Sequence, residues 1–360
     1  MKIYMNDVEI NDMRTDTQFK GITFSYFKRT EAKKELLNSL KNGKIEAALN
    51  WSAEFICCGL FIDLWDIILF FLGKHIHLGN PKLPIYLELR FNNFKEVVQN
   101  GYTGFEINMR NNSKVRKLFG EIITVLCQSK KKHSIESITI KKQEEFDMTS
   151  MSSRLKAPSV TYATSIFKKD DPKELFIAIN EFMYHISNES RNSLEACYWF
   201  EWIVEFENLC KKKKELCVCE RRTFVSADEK FQKEPIWIIW DALFFTNSTN
   251  KCEITKKILK SIFELFSIRY TAGSKKKRKY LIYFAISIIT DTFNKNVNII
   301  EDIPMVDNVT KKIDLIYKEI KKNEVAPATD YLFTGVEKSN REKTFEKLEA
   351  MNSINTVIRK

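Results

Sequence analysis

Glycine and proline are scarce in this chain, 10 and 7 in 360 residues, against a usual share of about 12% for the two together. Few such residues means few tight turns. That speaks against a sandwich or barrel of many short strands and for long helices. Histidine is scarcer still, at positions 75, 77, 133 and 185. Acid–base and metal chemistry lean on imidazole, so little of either is expected. Phosphate-loop, dinucleotide-loop, HExxH, GxSxG and paired CxxC patterns are all missing. No catalytic residue and no cofactor is therefore assigned. No apolar run reaches the roughly 20 residues of a membrane-spanning helix. GLFIDLWDIILFFLG (59–73) is broken by Asp63 and Asp66, and PIWIIWDALFF (235–245) and YLIYFAISII (280–289) are too short. All three read as buried core helices, with no membrane partner. The stretch MKIYMNDVEINDMRTD holds no apolar signal-peptide core. The eight cysteines (57, 58, 127, 197, 210, 217, 219 and 252) follow no disulfide framework. Both features suggest a reducing, intracellular setting.

Positive charge is plentiful. Lys and Arg outnumber Asp and Glu 58 to 47, a formal net charge of +11. Such an excess favours polyanionic partners and says nothing about fold. Its densest runs are Lys130, Lys131 and Lys132 before His133, Lys211, Lys212, Lys213 and Lys214, the pair Arg221 and Arg222, and Lys275, Lys276, Lys277, Arg278 and Lys279. Each abuts an apolar helix. If antiparallel helices stack, several of these runs fall on one side and make a face able to contact successive phosphates. The run at 275–279 reads as the loop and first turn of a packed helix. Phosphate contact is its leading reading, ahead of a solvated surface, a nuclear-import signal and a membrane anchor.

The apolar periodicity is helical over most of the chain. Residues 1–30 differ: Ile22, Phe24 and Tyr26 alternate and predict a small N-terminal β element. A first helical lobe is expected at 31–128, with stops at Asn42-Gly43, Gly59 and Gly73 and a candidate N-cap at Ser113. The segment with prolines 81 and 84 is ambiguous between strand and helix, and helix is preferred. Residues 129–170 form a basic linker with one candidate strand, SIESITI. A second lobe spans 171–293 and opens on DDPKELF, where Asp171 can cap, Pro172 suits the first turn and Glu174 completes a capping-box spacing. Residues 294–360 make a polar tail with amphipathic helices. The expected fold is mainly α: two lobes of antiparallel helices with the small N-terminal β element. EAALNW (46–51) and LWDIILFF are weakly echoed by EACYWF (195–200) and IWDALFF, which suggests a duplicated helical unit.

Cys210, Cys217 and Cys219 are the weak candidates for a metal, in a C-x6-C-x-C spacing. Structural zinc prefers thiolates two to four residues apart, so free thiols beside a basic turn are the simpler reading. The pair His75 and His77 in KHIH reads as a helix-end feature.

The segments KHIHLGNPKLPIYLELRF, RLKAPSV, IFKKDDPKELFIAINE, KKKKELCVCERR and KKKRKYLIYFAIS resemble an uncharacterised protein family of nucleocytoplasmic large DNA viruses, the giant viruses. The resemblance covers roughly 30–290. It implies an intracellular viral protein in host cytoplasm, nucleus or virus factory, or packaged in the virion. It implies no catalytic residues. A shorter stretch around AALNW and HLGNPKL is similar to the helical collar of clamp-loader-like ATPases, without the ATPase module. The expectation is a non-enzymatic, basic viral protein that binds nucleic acid in genome replication, transcription or packaging. The alternative is a structural or scaffold component that binds viral protein partners, with 341–358 as a docking helix.

Overall fold

The computed structural model describes residues 8–141, 146, 148–248 and 252–325. These form a mainly α fold. The helices are α1 (Arg29–Lys41), α2 (Ile45–Cys57), α3 (Phe61–Phe71), α4 (Leu83–Gln99), α5 (Ser113–Gln128), α6 (Met148–Arg154) and α7 (Phe176–Ile186). They continue as α8 (Ser193–Lys213), α9 (Ile236–Ser248), α10 (Glu253–Ser267), α11 (Ser274–Lys277), α12 (Lys279–Thr290), α13 (Ile303–Lys312) and α14 (Asp314–Lys321). The ambiguous proline segment is helix α4, with Pro84 in its first turn, where its missing N–H costs nothing.

The centre of the molecule is α12. Leu281, Ile282, Phe284, Ala285 and Ile286 are all fully buried, so this helix is apolar all round rather than along one stripe. It touches α7, α8, α9 and α10 from one half and α3 from the other. Helix α4 also packs on α10, so one buried core runs through both halves. No helix among the described residues is long and apolar enough to cross a membrane.

Several sequence expectations are corrected. Among the described residues the N-terminal β element is a single antiparallel bridge, Ile22 to Lys28. Phe24 is buried, but Tyr26 turns outward at φ 67°, so the alternation belongs to a tight turn. SIESITI is neither helix nor strand and joins no ladder. The N-cap of α5 is Asn112, whose side chain accepts from the backbone N–H groups of Lys114 and Val115. Gly43 and Gly59 end helices with positive φ, as expected of glycine. Gly73 does not. The chain continues through it in a π turn, Leu72–Ile76. In the segment expected as a polar tail with amphipathic helices, α13 and α14 fold back on α5 and α2, burying Ile313, Tyr317 and Ile320. The proposed docking helix at 341–358 lies outside the described residues.

Candidate nucleic-acid interface

The five cations at 275–279 do not act together. Helix phase sends them in different directions. Lys275 is 2% exposed. Its Nζ lies 2.5 Å from Glu207 and 2.8 Å from Glu234. Arg278 is buried too, donating to Asp66 at 3.0 Å and to the carbonyls of Phe266 and Ile268. There it covers the C-terminal end of α10, where unpaired carbonyls favour a cation. Lys279 bridges to Glu201 of α8 at 3.0 Å. Lys277 is exposed and 3.6 Å from Asp66. Lys276 is exposed and makes no ion pair among the described residues.

The same sorting applies to the other runs. Arg222 is 1% exposed, with a two-pronged bond to Asp171 at 2.6 and 2.7 Å and a bond to Asp241. Burial opposes ionising the Asp171 carboxyl, but Arg222 and the N–H groups of Lys168 and Glu220 hold it below the usual range. Asp171 is therefore committed to Arg222 and does not cap α7, whose preceding turn shows no side-chain cap. Lys211 contacts Glu207, the carboxylate that also holds Lys275. Burial works against its charge, yet the bonds to Glu207 raise its pKa above the ordinary lysine value. Lys212, Lys213, Lys214 and Arg221 are exposed. Lys131 turns back to the Cys127 carbonyl at the end of α5, while Lys130 and Lys132 are exposed. Arg222 and Arg278 share a design: each is gripped by the aspartate of a Trp-Asp pair, Asp241 after Trp240 and Asp66 after Trp65.

Some of the outward cations meet beside the π turn. A pocket of about 420 Å³ is lined by Lys33 of α1, Lys276, Lys277 and Lys279 together with Asp63 and Asp66, with Phe70 and Tyr280 in its wall. Lys74 of the π turn lies 5.2 Å from the Tyr280 ring centroid, within cation–π range. The next residue, His75, meets His133 at 4.9 Å between ring centroids. That contact joins the 130–133 run to the same face. Two glycines permit this convergence. A Cβ on Gly73 would come within 2.7 Å of the Tyr280 backbone. A Cβ on Gly79 would overlap the Lys130 carbonyl. The sequence reading missed Lys33, Lys74 and both glycines. Lys33 sits in an ordinary solvated helix pattern, and a close backbone approach leaves no local signal.

The cysteine candidates do not form a ligand set. Cys210 and Cys217 contact each other, and burial pushes the Cys217 thiol up to about 12. Among the described residues no group of three His, Cys, Asp or Glu side chains is arranged to hold a metal ion.

Burial pushes His77 down to about 4, and burial with His133 and Lys74 nearby does the same to His75. Unfolded imidazole takes up a proton near pH 6.5, the buried ring only near 4, so the unfolded chain gains protons first as pH falls. The expected result is full stability above about pH 6.5 and a loss of about 3 kcal/mol from His77 by about pH 4, with a smaller share from the half-exposed His75. Urea midpoints measured at several pH values would check this. His77→Asn should flatten the slope, and an unchanged slope would refute the assignment.

No protein-family model, curated protein or solved structure matches this chain.

Proposed function

We propose that the chain is a non-enzymatic nucleic-acid-binding protein that grips the phosphate backbone through Lys33, Lys74, Lys276 and Lys277, extended by Lys130 and Lys132. The observation behind this reading is the meeting of Lys33 of α1 with Lys276, Lys277 and Lys279 of α11 and α12 on one pocket, with Lys33 and Lys276 unpaired among the described residues; Lys74 stands against the Tyr280 ring of the same pocket. Surface lysines with no carboxylate partner keep their charge available for phosphate. The giant-virus resemblance suggests genome replication, transcription or packaging as the setting.

The test is fluorescence anisotropy of labelled DNA and RNA across a salt series. Each lost phosphate contact should reduce the slope of log K against log salt by about 0.7–0.9. Lys33→Ser with Lys276→Ser and Lys277→Ser should therefore flatten it by about two units, while the urea midpoint stays unchanged. Binding that is absent at low salt would overturn the proposal and favour a protein-scaffold role. Substituting all of 275–279 would not serve, because Lys275 and Arg278 belong to the core.

A further inference from the structure

Helix α7 and the turn after it bring a carboxylate, an imidazole and a hydroxyl into line. Glu181 and His185 stand one turn apart on the buried side of α7, where residues i and i+4 meet. Both side chains are 3% exposed. One edge of the ring faces the carboxylate: Nε2 lies 3.6 Å from Glu181 Oε2, beyond hydrogen-bond length, and has no hydrogen-bond partner among the described residues. Glu181 therefore acts on the ring through its charge. Burial opposes that charge, but His185 and the backbone N–H groups of Lys156 and Ala157, at 2.9 and 3.0 Å, hold the carboxyl below its usual range. The other edge of the ring faces a hydroxyl, with Nδ1 3.0 Å from Ser190 Oγ. A carboxylate beside Nε2 favours the proton on that nitrogen, because a lone pair there would face negative charge. Nδ1 then carries the lone pair, and Ser190 O–H donates to it. The turn fixes this hydroxyl from both sides. Asn192 N–H donates to the His185 carbonyl at 2.9 Å, and Arg191 N–H to the Ser187 carbonyl at 3.1 Å. Ser190 is half-buried, and its own N–H donates to no group among the described residues.

We propose that Ser190 is an acyl-acceptor site, with His185 as its base and Glu181 as the residue that positions and charges that base, and that the donor is an activated ester or thioester. A hydroxyl bonded to an imidazole lone pair, with a third group behind the ring, is the arrangement that makes serine a nucleophile. The donor must be activated because the site supplies one base and one N–H. Ser190 Oγ attacks the carbonyl carbon and forms the new C–O bond, as its proton passes to His185 Nδ1. Glu181 steadies the imidazolium, and the Ser190 N–H is available to the oxyanion. The bond to the alkoxide or thiolate then breaks, and the leaving group takes the proton from Nδ1. One such transfer modifies the chain without turnover, so the site does not rest on nucleic-acid binding.

The first probe is a biotin-tagged fluorophosphonate, which labels activated serines and leaves ordinary ones alone. Ser190 Oγ forms the bond to phosphorus as fluoride leaves. The full chain should take up one label, mapped to Ser190 by peptide mass spectrometry. Ser190→Ala and the urea-unfolded chain should take up none. His185→Asn should slow labelling by at least about 100-fold, the share of a general base. Glu181→Gln keeps an oxygen for the Lys156 and Ala157 N–H groups. It should slow labelling and move the acid limb of the rate profile to lower pH, because the imidazolium loses its anion. The second probe, p-nitrophenyl acetate, should acetylate Ser190, and prior fluorophosphonate treatment should block that acetylation. An absence of label at millimolar probe, a label that maps elsewhere, or an unaltered rate in folded His185→Asn overturns the inference. So does an untreated chain that takes no acetyl group at Ser190.

Discussion

Lys275→Met is expected to destabilise the fold by about 3–5 kcal/mol, while Lys276→Met one position on leaves stability unchanged. The difference follows from what each ammonium leaves behind. Lys275 neutralises Glu207, which is 1% exposed, and shares Glu234 with the Tyr270 hydroxyl, which donates to it at 2.7 Å. Removing the lysine strands a buried carboxylate with Lys211, half-exposed at the end of α8, as its one remaining ion-pair partner among the described residues. Breaking a buried pair costs far more than the pair itself contributes, since two charges were desolvated to make it. Lys275→Met combined with Glu207→Leu should therefore recover much of the loss. Urea denaturation of the three variants decides the matter. If Lys275→Met shifted the midpoint no more than Lys276→Met, the inward placement of Lys275 would be wrong.

That contrast also marks how far the sequence could be read. Helix type was legible nearly everywhere, because apolar periodicity is a local property: the spacing of Val115, Phe119, Ile122 and Leu126 places α5 without help from any other segment. The identity of the central helix was legible in part. YLIYFAISII announced burial, but not that it would be buried on every side. The roles of charged residues were not legible. Asp171 has all the local marks of an N-cap, and a cap competes poorly with a two-pronged bond to an arginine 51 residues away. A cap would give the carboxylate one charge-assisted bond; here it has two to the guanidinium and two more from the N–H groups of Lys168 and Glu220. In the same way, KKKRK reads as one basic patch. Tertiary packing splits it into two core anchors, one bridge to α8 and two surface charges. The proposed face leans on lysines with no local mark to single them out: Lys33, which shares a pocket with Lys276 and Lys277, and Lys74, which faces the Tyr280 ring.

Gly79→Ala is the second substitution with a large expected effect, and it tests how that face is assembled. The added methyl would overlap the backbone of Lys130, not a side chain that could swing away. Segment 130–134 is held against the π turn by two backbone bonds, Lys132 N–H to the Ile76 carbonyl at 3.3 Å and Ser134 N–H to the Lys74 carbonyl at 2.9 Å. To admit the methyl, the segment must lift and give up both. Two lost bonds, each with its own desolvation cost if the groups stay buried, amount to about 2–4 kcal/mol. The functional consequence separates this from a generic folding defect. Lifting 130–134 parts His133 from His75 and displaces Lys130 and Lys132 with it. Polyanion affinity measured well below the denaturation midpoint should then fall, and its salt slope should flatten by one to two units, as about two phosphate contacts are lost. Gly21→Ala is the control. Unlike Gly79, Gly21 has positive φ, and nothing lies within 4 Å of its missing Cβ, so only backbone strain is introduced; its carbonyl accepts from the Arg29 N–H and not from segment 130–134. Loss of stability in both variants, with the salt slope altered only in Gly79→Ala, would tie the glycine to the basic face. An unaltered slope in Gly79→Ala would mean that the 130–133 run contributes nothing to binding, leaving the α1 and α11 lysines to act alone.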